Sequence, residues 1–144
     1  MYSQILVPTD GSPASDAAIE HAVDLARQYD ARLHALYVVD GAAYSTLEAG
    51  ADIVVEALES EGKEATNRVA EAAADAGVDC ETKIATGTAY QSIRDYVDEH
   101  NVDVIVMGTH GRKGLDRYLL GSVTERVVRT ADVPVLTVRQ PADE

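Results

Sequence analysis

Val104-Ile105-Val106-Met107-Gly108-Thr109-His110-Gly111-Arg112-Lys113-Gly114, followed seven residues later by Gly121-Ser122-Val123-Thr124-Glu125, is the stretch that decides how this chain folds. The apolar run 104–107 has the length of a short buried strand, stops at a glycine, and gives way to a basic loop and then an amphipathic helical pattern. Gly108, Gly111, Gly114 and Gly121 permit positive φ and let bare backbone N–H groups approach an anion. A helix opening near Ser122 adds unpaired N–H donors and the positive end of its dipole, so the loop has the makings of a phosphate site. A structural reading stands beside this one. Ser122 and Glu125 also fit the N-cap and N3 positions of a capping box, which would spend the serine hydroxyl on its own helix.

Charge favours the anion site. Between Gly108 and Arg129 five cations (Arg112, Lys113, Arg117, Arg126, Arg129) face two acids (Asp116, Glu125), a local +3, whereas the other seven cations face 23 acids and the whole chain is at −13. An anionic ligand would be repelled nearly everywhere else.

At 144 residues the chain is expected to be one domain spanning 1–144, and nothing in it is long and apolar enough to cross a bilayer. The start, Met1-Tyr2-Ser3-Gln4-Ile5, lacks a basic leader, so a soluble cytoplasmic protein is expected. The single cysteine, Cys80, excludes an internal disulfide and alternates with Thr82 and Ile84 as an ordinary strand residue would. Twenty-five acids, nine Arg, three Lys and no Phe or Trp are least costly in high salt, which points to a halophilic host. The same acidity disfavours nonspecific binding to nucleic acid or anionic membranes.

Along the chain, Ile5-Leu6-Val7 reads as a buried strand. Ser12 is placed to cap a helix with Pro13 in its first turn and Ala18, Ala22, Leu25, Ala26 and Tyr29 as its apolar face. Asp10, at the strand's carboxyl end, can bond a ribose or base edge or simply finish the turn. Residues 33–39 form the second strand, 42–50 a loop near the site mouth, and 51–77 a long helix that Gly62 weakens by roughly 1 kcal/mol relative to Ala. His21 and His34 lack ligand-spaced companions and read as structural. Residues 79–86 form a more polar, edge-type strand, and Thr88-x-x-Gln91 reads as a capping box for a helix with Ile93 and Val97 on its core face. Val123, Val127 and Ala131 line the last helix, and Val133-Pro134-Val135-Leu136-Thr137-Val138 forms the final strand, with Pro134 at an edge or a strand start. This βαβαβαβαβ rhythm predicts a parallel sheet covered on both faces, with ligands at the carboxyl strand ends near Pro8, Thr9, Asp10, Val38, Val39 and residues 107–114.

Gly108-x-x-Gly111, nine residues, then Gly121-Ser122, together with the opening Ile5-Leu6-Val7-Pro8-Thr9-Asp10-Gly11-Ser12 and the strand end Tyr37-Val38-Val39-Asp40, resembles the universal stress protein family over nearly the whole chain. In that family the gapped motif marks the ATP-binding branch. The resemblance implies a three-layer α/β/α, Rossmann-like fold of the HUP type, with five parallel strands in the order 3-2-1-4-5. It also implies a homodimer through the last strand, between Val133 and Val138. It places Asp10, beside Pro8 and Thr9, at the nucleoside and the Val38 backbone, beside Val39, at the adenine. Gly108, Thr109, His110, Gly111, Arg112, Lys113 and Gly114 would meet the ribose and phosphates, and Ser122, Val123 and Thr124 the phosphate tail, with Met107 and Gly121 as candidate nucleotide-site residues beside them. The ligand implied is ATP, or AMP or ADP, with Mg²⁺ or Mn²⁺ carried by the phosphates. Tyr37 stands where many members have His.

No Walker GxxxxGK[ST] is present, and Gly108-Thr109-His110-Gly111-Arg112-Lys113-Gly114 is spaced GxxGxxG rather than GxGxxG. His110 is the one histidine near the loop and Asp10 the one convincing rim carboxylate, so no complete hydrolase is legible. A phosphate site without a group to orient water binds better than it turns over. The expectation is a dimeric ATP sensor in stress response, with a slow ATPase switch and a nucleotide-free interaction protein as alternatives.

Overall fold

The computed structural model describes residues 1–39, 51–109 and 121–139, with the backbone alone at 51–54. Strands and helices alternate: β1 Gln4–Pro8, α1 Pro13–Tyr29, β2 Arg32–Val39, α2 Ala51–Asp75, β3 Cys80–Thr86, α3 Ala89–His100, β4 Val104–Gly108, α4 Ser122–Thr130 and β5 Val135–Val138. The five strands are parallel in the order β3-β2-β1-β4-β5, the order that the resemblance implied. The loop expected over 42–50 lies outside the described residues.

Strand alternation sorts side chains between two helical layers. Ile5, Val7, Leu33, Ala35, Val104 and Val106 pack with Ala18, Ala22 and Ala26 of α1 and Val69 and Ala73 of α2. Leu6, Leu36, Ile105 and Met107 pack on the other side with Ile93 and Tyr96 of α3 and Val127 of α4. The central strands β1 and β4 are covered on both faces, which explains their unbroken apolar runs. β3 is an edge strand and only half-buried, as its polar pattern predicts.

Local expectations fared unevenly. Ser12 caps α1 by accepting from the Ser15 N–H, with Pro13 at the helix start. On α1, Ile19 joins the buried face while Leu25 is only partly buried and Tyr29 is exposed, edge-on to Tyr2 at 5.2 Å. The expected Thr88 capping box is not formed: Thr88 is at the N-cap, but its side chain makes no capping bond, and its carbonyl takes the Ser92 N–H at 2.9 Å. Gly62 does not interrupt α2. A Cβ there would lie 2.6 Å from Tyr37 Cδ1, so the glycine is the place where α2 closes onto β2. Val123 faces outward, and Val127 and Thr124 make the buried face of α4, because the helix is short and only its inner edge meets the sheet. Pro134 precedes β5, and its carbonyl accepts from Ile105 N–H at 3.0 Å.

Beneath α3 lies a buried polar cluster. His34 is 3% exposed, with Nε2 at 2.6 Å from Gln4 Oε1 and Nδ1 at 2.7 Å from the Tyr96 hydroxyl. An amide oxygen only accepts, so this network assigns the proton to Nε2 and leaves Nδ1 to accept from Tyr96. The Tyr96 ring stacks on His100 at 3.8 Å, and Glu81 lies 3.5 Å from Nδ1 and 3.6 Å from Arg32. Burial holds the His34 pKa below 6.5; Glu81 opposes that shift, while His100 and Arg32 add to it. Burial also pushes Tyr96 up to about 12 and the Cys80 thiol up to about 11, so both stay protonated and the cysteine is a poor nucleophile.

The linkage has a definite sign. The unfolded chain takes up the His34 proton more readily than the folded one, so this contribution is intact above pH 6.5 and is lost as pH falls toward the lowered folded-state value. Thermal melts should therefore show the melting temperature falling as pH drops below 6.5, with a shallower slope in His34→Gln. An equal slope in the variant would remove His34 as the cause.

Candidate functional site

After β1 the chain builds outward through β2 to β3, then returns to the other side of β1 for β4 and β5. Connections therefore diverge at the carboxyl ends of β1 and β4, where an open parallel sheet leaves a crevice. Pro8, Thr9 and Asp10 end one strand, and Met107, Gly108 and Thr109 end the other. Thr9 N–H still bonds Leu36 O at 2.8 Å and Thr109 N–H bonds Val138 O at 3.0 Å, which fixes both strand ends in register. Val38 and Val39 end β2 alongside, and the Val39 carbonyl accepts from Gly87 N–H at 2.8 Å.

The turn carrying Asp10 is tightly wired. Asp10 Oδ1 accepts from the Ser12 N–H and from the Ser15 hydroxyl, both at 2.9 Å. Gly11 has φ +81°, a left-handed conformation that suits glycine, and its N–H donates to Thr9 Oγ1 at 3.1 Å. Its carbonyl accepts from Arg68 Nη2 at 2.9 Å. Both readings of Asp10 thus have a physical basis: it finishes the turn, and it sits on the crevice rim.

Across the crevice, Gly108 and Gly121 serve a purpose other than positive φ. The positive-φ glycines of the described residues are Gly11, Gly77 and Gly87, whereas Gly121 has φ −64°. Gly108 is needed for contact: a Cβ there would lie 2.8 Å from the Ala14 carbonyl oxygen, so the start of α1 rests directly on the end of β4. Gly121 caps α4, its N–H bonds Thr109 O at 2.7 Å, and its carbonyl takes the Glu125 N–H at 2.9 Å. The Ser122–Glu125 capping box is therefore absent. Ser122 is the first helical residue, is exposed and makes no capping bond, because Gly121 occupies the cap position. Thr124 is buried and donates its hydroxyl to Gly108 O at 2.8 Å, hooking α4 onto β4.

His110, Gly111, Arg112, Lys113 and Gly114 lie outside the described residues. Of the five cations in this region, the two described ones are engaged: the Arg126 guanidinium lies 4.2 Å from the Tyr90 ring centroid, and Arg129 pairs with Glu125. Among the described residues no group of three or more His, Cys, Asp or Glu could hold a metal, and no helix is long and apolar enough to cross a membrane.

The sequence model of the universal stress protein family matches residues 1–139. The chain belongs to that family. A universal stress protein of Methanocaldococcus jannaschii is 40% identical over 146 residues, an alignment covering 100% of this chain and 86% of the relative. Among solved structures, the hypothetical protein MJ0577 superposes with a TM-score of 0.88 at 29% identity, covering 99% of each chain. A universal stress protein solved in complex with cAMP gives 0.76 at 25% identity, covering 97% of this chain and 99% of the other. In this universal stress protein, sequence reasoning missed Ser15 and Arg68, the side chains that tie down the Asp10 turn. Ser15 is in local reach of Asp10, but Arg68 is 57 residues from Gly11 with no sequence pattern to join them.

The Gly108 contact yields a direct test. The Cβ of Gly108→Ala meets the backbone of α1 rather than a movable side chain, so the variant should lose about 1–3 kcal/mol in urea unfolding. An unchanged midpoint would show that α1 can move off β4 freely.

Proposed function

We propose that the chain is an adenine-nucleotide-binding universal stress protein, with residues 1–144 acting as one nucleotide-binding domain. The observation that carries this reading is the convergence of the α1 and α4 N-termini on the β1–β4 switch point, beside Gly108 with no side chain and Ser122 exposed. Helix N-termini supply N–H donors and positive potential to phosphates. The relative solved with cAMP supports a nucleotide of this class. ATP is the ligand we assign, with Mg²⁺ or Mn²⁺ carried on its phosphates. Asp10, with Pro8 and Thr9, takes the nucleoside, and Val38 and Val39 take the base edge. Residues 107–114 take the ribose and phosphates, and Gly121, Ser122 and Val123 take the phosphate tail. Thr124 shapes that tail site through Gly108.

Turnover is expected to be slow. Asp10 Oδ1 is already held by Ser12 and Ser15, which suits orientation of a ligand better than proton abstraction from water. The molecule is then a sensor whose occupied state is read by a stress-response partner. Calorimetry should show ATP binding that weakens about tenfold or more in Ser122→Ala, where a donor to a charged oxygen is removed, and is lost in Gly121→Val. Wild-type affinity in a folded Gly121→Val chain would refute the placement of the phosphate tail.

We assign the assembly as a two-fold dimer through β5. This strand is at the sheet edge, Leu136 on it is 42% exposed, and Val128 of the adjoining α4 is 44% exposed. Edge pairing with a symmetry mate would cover unpaired backbone groups and this apolar surface together. Light scattering should report a dimer for the native chain and a monomer for Leu136→Glu; a folded, dimeric variant would relocate the interface. Running the same samples from dilute buffer to molar KCl also tests the saline habitat, which requires the melting temperature to rise with salt.

A further inference from the structure

We propose that Arg68, on α2, is a positioning residue for the nucleotide site, acting through one peptide plane on the Asp10 carboxylate; the inference rests on the site assigned above. The Gly11–Ser12 peptide is a rigid planar unit with a carbonyl at one end and an N–H at the other. Its carbonyl oxygen accepts from Arg68 Nη2 at 2.9 Å, and its N–H donates to Asp10 Oδ1 at 2.9 Å. Rotation of that plane would break both bonds at once. The charged donor on the carbonyl side also polarises the peptide and strengthens the N–H that grips the carboxylate.

The other components leave this plane in need of an outside tie. Gly11 is in the left-handed region, with φ +81°, and has no side chain to wedge it in place. The Thr9 N–H holds the first residue of the turn to Leu36 of β2, whereas the side-chain bonds at Thr9, Ser12 and Ser15 are made within a few residues and travel with it. Arg68 reaches in from a helix 57 residues away that is packed on the sheet through Val69 and Ala73. Its second arm is held by Asp16 of α1, with Nη1 3.6 Å from Oδ2, so the guanidinium spans the turn and the helix that follows. The geometry links the seating of α2 against α1 to the aim of Asp10 at the crevice.

A double-mutant cycle on the full chain decides the point, with ATP affinity by calorimetry and a thermal melt of each variant. Arg68→Met keeps the aliphatic stem and removes every donor; it should weaken ATP binding about fivefold, with Arg68→Lys recovering part of the loss. In an Asp10→Ala background, Arg68→Met should change affinity hardly at all, because its route to the ligand is gone. A merely structural Arg68 would lower the melting temperature while leaving affinity unchanged, or would weaken binding equally in both backgrounds, and either result overturns the proposal. If the native chain binds no ATP, or Asp10→Ala binds as the native chain does, the site assignment itself fails and this inference falls with it.

Discussion

The contact between the bare backbone of Gly108 and the first turn of α1 is the constraint on which the rest of the rim depends. With no Cβ on Gly108, the Ala14 carbonyl and the end of β4 come closer than any other residue allows. That approach brings the start of α1 to the crevice between β1 and β4. Thr124 then donates to the carbonyl of the same glycine, so α4 is hooked to the point against which α1 rests. Two helix N-termini and two strand ends are thereby set by one residue without a side chain.

A second constraint operates on the opposite wall. The Asp10 turn contains a left-handed glycine, a serine cap and a carboxylate held by two donors. Such a turn is locally self-consistent, its start is held to β2 by the Thr9 N–H, and its middle is tied to α2 through Arg68. Rigidity at the rim has an energetic rationale, since a group held in place before a ligand arrives costs less to order on binding. The polar cluster around His34 serves the other end of the molecule, fixing α3 to β1 and β2 with hydrogen bonds rather than with apolar contact alone.

Much of the architecture was legible because periodicity reports burial. Ile5-Leu6-Val7 and Val104-Ile105-Val106-Met107 are apolar throughout because both faces are covered, and β3 is mixed because it lies at an edge. Where the pattern misled, local spacing was not carried into the fold. Thr88 and Ser122 match capping boxes by spacing, yet neither makes a capping bond. Gly62 reads as a helix weakener, yet Tyr37 leaves no space for a Cβ there.

By itself, the sequence determined the alternation of strands and helices, the acid excess, the rim position of Asp10 and the glycine motif that led to the family. These follow from local chemistry: hydrophobic period, turn residues and net charge are properties of neighbours along the chain. Tertiary structure decided the reason for Gly62 and Gly108, the outward turn of Val123, the commitment of Thr124 to the backbone, and the partnership of Arg68 with Gly11. The glycine, Thr124 and Arg68 contacts depend on which distant atom comes within about 3 Å, and a distance between residues far apart in the chain is set only when the layers close.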